Sequence, residues 1–104
     1  MRKLIYADNS GELTESQLVF TGKTLLSKVL VLTDGTNEAT VVVYDSLTAS
    51  GKKMGTWVVS GPSKYGGGNV IPPEKIRIGI YVSISGTGAK AHASWVVANN
   101  LYFE

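Results

Sequence analysis

From Lys75 to Ser85 the chain alternates without a break: Ile76, Ile78, Ile80, Val82 and Ile84 fall on one side, Arg77, Gly79, Tyr81, Ser83 and Ser85 on the other. A period of two is the signature of a strand with one face in a core. It predicts a strand over 75–85 with its β-branched residues inward. Pro72-Pro73 just upstream cannot donate ladder hydrogen bonds, so the strand is expected to begin after them, leaving Val70-Ile71 to a separate edge or loop.

The same texture fills the rest of the chain. Val, Ile, Thr and Tyr recur between Gly, Asn, Asp and Ser, and helix signals are scarce. Residues Thr24 to Thr33 and Glu38 to Asp45 flank Asp34-Gly35-Thr36-Asn37, whose Asp-Gly pair is the strongest hairpin signal present. Both arms contain continuous apolar runs, Val29 to Leu32 and Val41 to Tyr44, so alternation leaves their register open. After the Ala49-Ser50-Gly51 turn, Lys52 to Ser60 reads as a strand with Gly55, Trp57 and Val59 on the core side. Gly61 to Asn69 holds three consecutive glycines and predicts a loop, mobile or ordered by a partner. Gly86-Thr87-Gly88 leads into Lys90 to Val97, where Ala91, Ala93 and Trp95 alternate with Lys90, His92 and Ser94, which predicts a final hairpin. Leu4 to Ala7 and Gln17 to Phe20 are short strand candidates.

Several short strands at intervals of ten or so residues point to an all-β fold: a single-domain antiparallel β-sandwich, jelly-roll-like. Residues 1–24 are expected to be an N-terminal arm or edge strands, and residues 25–104 the sandwich. With 104 residues, 43% of them hydrophobic and 17% charged, the chain suits one folded domain. No Cys is present, which removes disulfides and thiolate chemistry. The apolar run after Met1-Arg2-Lys3 is too short for a secretion signal, and none approaches the ~20 residues of a membrane span. A net charge of +2, with the cations scattered over many segments, argues against a nucleic-acid footprint.

Reactive chemistry is sparse in this sequence. Gly22-Lys23-Thr24 ends like a phosphate-binding loop, but Gln17 stands where the first Gly belongs. His92 sits between two alanines without a companion motif. Asp34, Glu38 and Asp45 lack the spacing of a Ca²⁺ loop and read as solvated hairpin charges. No Gly-x-Ser-x-Gly is present. The expectation is a protein without catalytic residues, metal or cofactor. Aromatics are the remaining lead: Trp57, Trp95, Tyr44 and Tyr81 on strands and Tyr65 in the glycine-rich stretch could pack a core or stack on a sugar. A mean hydropathy of +0.09 with few charges leaves apolar surface whose simplest outlet is self-association.

The ordered pieces Val41-Val42-Val43-Tyr44-Asp45-Ser46, Ala49-Ser50-Gly51 and Ile78-Gly79-Ile80-Tyr81-Val82-Ser83-Ile84-Ser85-Gly86-Thr87-Gly88-Ala89, within Val29 to Trp95, resemble small structural proteins of tailed-bacteriophage virions. That resemblance implies a compact β domain present in many copies as a capsid decoration (cement) protein, head fibre or tail accessory part. It implies synthesis in the host cytoplasm and residence on the capsid surface. Partners would be copies of itself, with a homotrimer as the first expectation, and the major capsid protein or another virion protein; neither nucleic acid nor membrane is expected. The interface candidates are Leu4, Tyr6, Leu18 and Phe20 of the arm, Tyr65 of the glycine-rich stretch, and Leu101, Tyr102 and Phe103 of an apolar terminal patch. Asn100 to Phe103 also match the middle of a commonly engineered protease tag, from whose ends Asn99 and Glu104 depart. The alternative is a carbohydrate-binding or adhesion module on a head fibre or tail appendage.

Overall fold

The computed structural model describes residues 5–98, with the side chains of 5–7, 71, 72, 97 and 98 outside the description. Eight strands succeed one another: β1 (Ile5–Asn9), β2 (Gln17–Thr21), β3 (Thr24–Leu32), β4 (Ala39–Asp45), β5 (Lys52–Val59), β6 (Tyr65–Ile76), β7 (Gly79–Ser85) and β8 (Lys90–Ala98). They form two four-stranded sheets in the orders β1-β8-β3-β6 and β2-β7-β4-β5. All pairings are antiparallel, and no helix occurs among the described residues. The all-β expectation holds.

Connectivity departs from the sequence reading. Of the connections, β4–β5 alone joins neighbours in one sheet; each of the others carries the chain across to the opposite sheet. The expected hairpin around Asp34-Gly35 is therefore a crossing. β3 is flanked on both sides by β6 and β8, which leaves β4 no edge to join. The six residues 33–38 instead span the ~10 Å between packed sheets. The expected final hairpin around Gly86-Thr87-Gly88 is likewise a crossing from β7 to β8.

The strand expected over 75–85 is two strands in different sheets, since β6 ends at Ile76 and β7 begins at Gly79. Ile76, Ile80 and Val82 are buried as predicted, but Ile78 lies on the crossing and is 52% exposed. Nor does the chain wait for Pro72-Pro73: β6 starts at Tyr65 and runs through them. Pairing with β3 jumps from Lys28↔Asn69 to Leu26↔Glu74, so residues 70–73 bulge out of the ladder. On an edge strand, within a bulge, neither proline needs a donor.

The Gly61 to Asn69 loop shrinks to residues 60–64, because Tyr65 to Asn69 pair with Leu32 to Lys28. Gly66 serves packing rather than flexibility. A Cβ there would lie 2.5 Å from Val59 Cγ2 on the opposite sheet, so the absent side chain lets the two sheets meet.

The inner faces share one core. β3 contributes Thr24, Leu26, Val29 and Val31, β4 contributes Ala39, Val41 and Val43, β7 contributes Ile80 and Val82, and β8 contributes Ala91, Ala93 and Trp95. The extra residue Ser27, around which pairing shifts, resets the phase of β3. Both Leu26 and Val29 then face inward despite their odd spacing. Thr24 is buried with its hydroxyl donating to the Val96 carbonyl at 2.5 Å. The predicted inward set of β8 and the Trp57/Val59 side of β5 are observed, Val59 buried and Trp57 half-buried against the core.

Because strands alternate in direction, the molecule has two distinct ends. The turn end holds the β2–β3, β4–β5 and β6–β7 connections, and the loop end holds β1–β2, β3–β4, β5–β6 and β7–β8.

Candidate functional surfaces

The described residues enclose no pocket and hold no group of three or more His, Asp or Glu able to bind a metal. What the fold presents is surface: two outer sheet faces and two ends.

On the outer face of β2-β7-β4-β5, one row crosses all four strands through directly paired residues: Leu18↔Tyr81, Tyr81↔Tyr44 and Tyr44↔Lys53. Directly opposite residues share a face. The two tyrosine rings meet edge-on with centroids 6.5 Å apart. Both are half-buried and Leu18 is exposed. Beside this row stand Val42 with Ser83 and Thr56, then Thr40 with Ser85 and Val58. Hydroxyl, aromatic and aliphatic groups thus alternate there.

The outer face of β1-β8-β3-β6 is built around Leu30, paired with His92 and Gly67, and Leu32, paired with Lys90 and Tyr65. Gly67 adds no side chain beside Leu30. Tyr65 stands 71% exposed at the margin. His92 faces outward, away from Trp95, as its place in the alternation predicts, and is half-buried.

Among the described side chains, the interface candidates Leu18, Phe20 and Tyr65 do not converge. Leu18 lies on one outer face and Tyr65 on the other. Phe20 turns inward, half-buried, with its ring 5.4 Å from that of Trp95. It closes the margin between the sheets and is part of the packing. Tyr6 pairs through its backbone with Val97, and its side chain lies outside the description. Leu4, Leu101, Tyr102 and Phe103 fall outside the described residues. Trp95 is core, and its indole N–H has no acceptor among the described residues. That leaves a desolvation cost of about 1–3 kcal/mol for the ring's apolar burial to offset.

The three acids grouped by sequence separate. Glu38 accepts from the Ser60 hydroxyl at 3.1 Å. Asp34 caps its own turn, accepting from the backbone N–H groups of Asn37 at 2.7 Å and Thr36 at 2.8 Å and from the Asn37 side-chain amide at 2.7 Å. Those bonds, the Asn37 backbone first, hold its carboxyl below the ordinary value.

Asp45 corrects the expectation of a solvated charge: it is buried, 6% exposed. Its carboxylate accepts the backbone N–H of Arg77 at 3.1 Å, of Ile78 at 2.8 Å and of Gly79 at 3.4 Å. The chain leaves one sheet and enters the other at these residues, where no ladder partner can serve them. This anchor sets Ile78 outward at the turn end, where Leu47 is exposed as well. Its partners are more than thirty residues away, so no local motif signals it.

No family model matches the chain, and no curated protein or solved structure matches it either.

Proposed function

We propose that this protein is a virion structural protein, a capsid decoration (cement) protein that acts through non-covalent contacts repeated over many copies. The observation that carries the reading is the strand order. β1 pairs with β8, β2 with β7, β3 with β6 and β4 with β5, so the chain nests like one long hairpin, its tip at β4–β5, folded over on itself. That nesting supports a jelly-roll β-sandwich, an architecture recurrent in viral capsid and lectin domains. Fold alone does not assign function. The second support is what the surface offers: outer faces bearing Leu18, Tyr44, Tyr81, Leu30 and Tyr65, suited to contact with a protein surface.

In this role the protein adds buried area at symmetric positions of the lattice, with no bond made or broken. Its place is the capsid surface and its partners are its own copies, the trimer first among them, and the major capsid protein or another virion protein. The test is purification of intact particles by density gradient and imaging of them with this density located. Stoichiometric copies on the head are expected; absence from every particle fraction would end the proposal.

A second reading, a carbohydrate-binding module on a fibre or tail appendage, is favoured by the Tyr44–Tyr81 pair among outward hydroxyls. A glycan screen with Tyr44→Ala and Tyr81→Ala separates the two: glycan affinity lost in both variants supports the module, and no affinity in the unmodified protein removes it.

A further inference from the structure

Most of the exposed charge of the described residues lies at the two ends, with Asp8 on β1 and Lys28 on β3 between them. Lys23, Lys52, Lys53, Lys75 and Arg77 lie at the turn end, on the β2–β3 connection, the start of β5, the close of β6 and the β6–β7 connection, with Glu74 as the exposed acid among them. Glu12, Glu15, Asp34 and Glu38 lie at the loop end, where the cations are Lys64 and Lys90. Lys90 is already paired with Glu12, Nζ to Oε1 at 3.2 Å. Apolar side chains accompany both sets: exposed Leu47 and Ile78 at the turn end, exposed Val58 and Tyr65 toward the loop end.

We infer that copies of this chain associate end to end, the lysine-bearing turn end of one docking on the carboxylate-bearing loop end of the next. The inference deepens the many-copy reading and rests on it. Opposite charge at the two ends attracts turn end to loop end and repels like from like, so a two-fold contact between identical ends is disfavoured. The contact is heterologous, and because the ends lie at opposite poles of the strand direction it propagates as a chain of subunits unless rotation closes it. Leu47 and Ile78 supply the apolar centre on one side, and the lysines form the polar rim. Hydrogen bonds between distant segments tie both ends together. Asp45 fixes the 77–79 backbone, and the loop end is tied together where Thr33 N–H donates to the Lys64 carbonyl at 2.8 Å and its hydroxyl to the Ser63 carbonyl at 2.6 Å.

Charge-swapped pairs of the full chain test this by sedimentation. The unmodified protein is expected to self-associate, and to do so at least about tenfold more weakly when salt rises from roughly 0.01 M to 1 M, as the screening length falls from about 30 to 3 Å. The double variants Lys52→Glu/Lys75→Glu and Glu15→Lys/Glu38→Lys, all at exposed positions, should each be monomeric alone and should associate when mixed in equal amounts. Thermal melts establish that both fold; if either does not, the salt response of the unmodified chain decides. An oligomer indifferent to salt and to both swaps overturns end-to-end docking and leaves the many-copy reading standing. So does a chain that is monomeric alone yet present on particles. A monomer absent from all particles sinks both.

Discussion

Asp34 and Asp45 each fasten a turn through backbone N–H groups, one at either end of the molecule. Asp34 is exposed and bonds within its own turn, to Thr36 and Asn37. Asp45 is buried and reaches across the fold to residues 77–79. The loop end is secured by several such contacts, with Glu38, Ser60, Thr33 and Ser63 adding theirs. At the turn end one carboxylate serves three donors at the point where the chain changes sheets. The contrast shows that a bond's weight lies in what its loss would strand: water can replace Asp34, but it cannot readily reach the donors that Asp45 satisfies.

The largest effect is expected of Asp45→Ala, which leaves partly buried donors unsatisfied and should cost about 2–4 kcal/mol in chemical denaturation. Asp45→Asn keeps one acceptor oxygen and should cost roughly half as much. If Asp45→Ala melts like the parent, the turn end is not held as described. At the loop end, Gly86→Ala is next in size. Gly86 has φ of +115° and lies against the Glu38 carbonyl oxygen, which a Cβ would strike, so about 2 kcal/mol is expected from the same measurement.

Asp34→Ala should shift the melting temperature less than either. A drop equal to that of Asp45→Ala would erase the distinction between exposed and buried anchors. The smallest effect is in acid. The carboxyl of Asp34 is depressed in the fold, so the stability it contributes is present above the unfolded value of ~3.9 and is lost as pH falls through its lower folded value. NMR titration should place the Asp34 midpoint below that of an unstructured aspartate, and an ordinary midpoint would contradict the capped turn.

Much of the secondary structure is legible in the residues themselves. The inward set Ala91, Ala93 and Trp95, the Trp57 and Val59 side of β5, and the short strands near residues 5 and 17 follow from periodicity, because side chains alternate along any extended chain. The turns at 34–37 and 86–88 are equally legible as turns, but neither closes a hairpin. A turn motif bends the chain locally and says nothing about which sheet receives the next strand. Gly66-Gly67-Gly68 carried the opposite error: glycine signals freedom in isolation, but at Gly66 it marks close approach to Val59. Of the outward surfaces, Leu18 and Tyr65 could be named from sequence, whereas the row that Leu18 joins could not, since Leu18, Tyr81, Tyr44 and Lys53 come from four separate strands.

Alternation and composition are enough to establish that this chain forms strands, which side of β5 and of β8 faces inward, and that it carries no cysteine chemistry; these are properties of neighbours in sequence. Only the tertiary structure settles which strands pair, that Asp45 lies inside, that Ile78 lies outside, and that cations predominate at one pole and carboxylates at the other. Those outcomes depend on where the chain crosses between sheets, and a crossing is selected by the pairing and packing of the whole molecule.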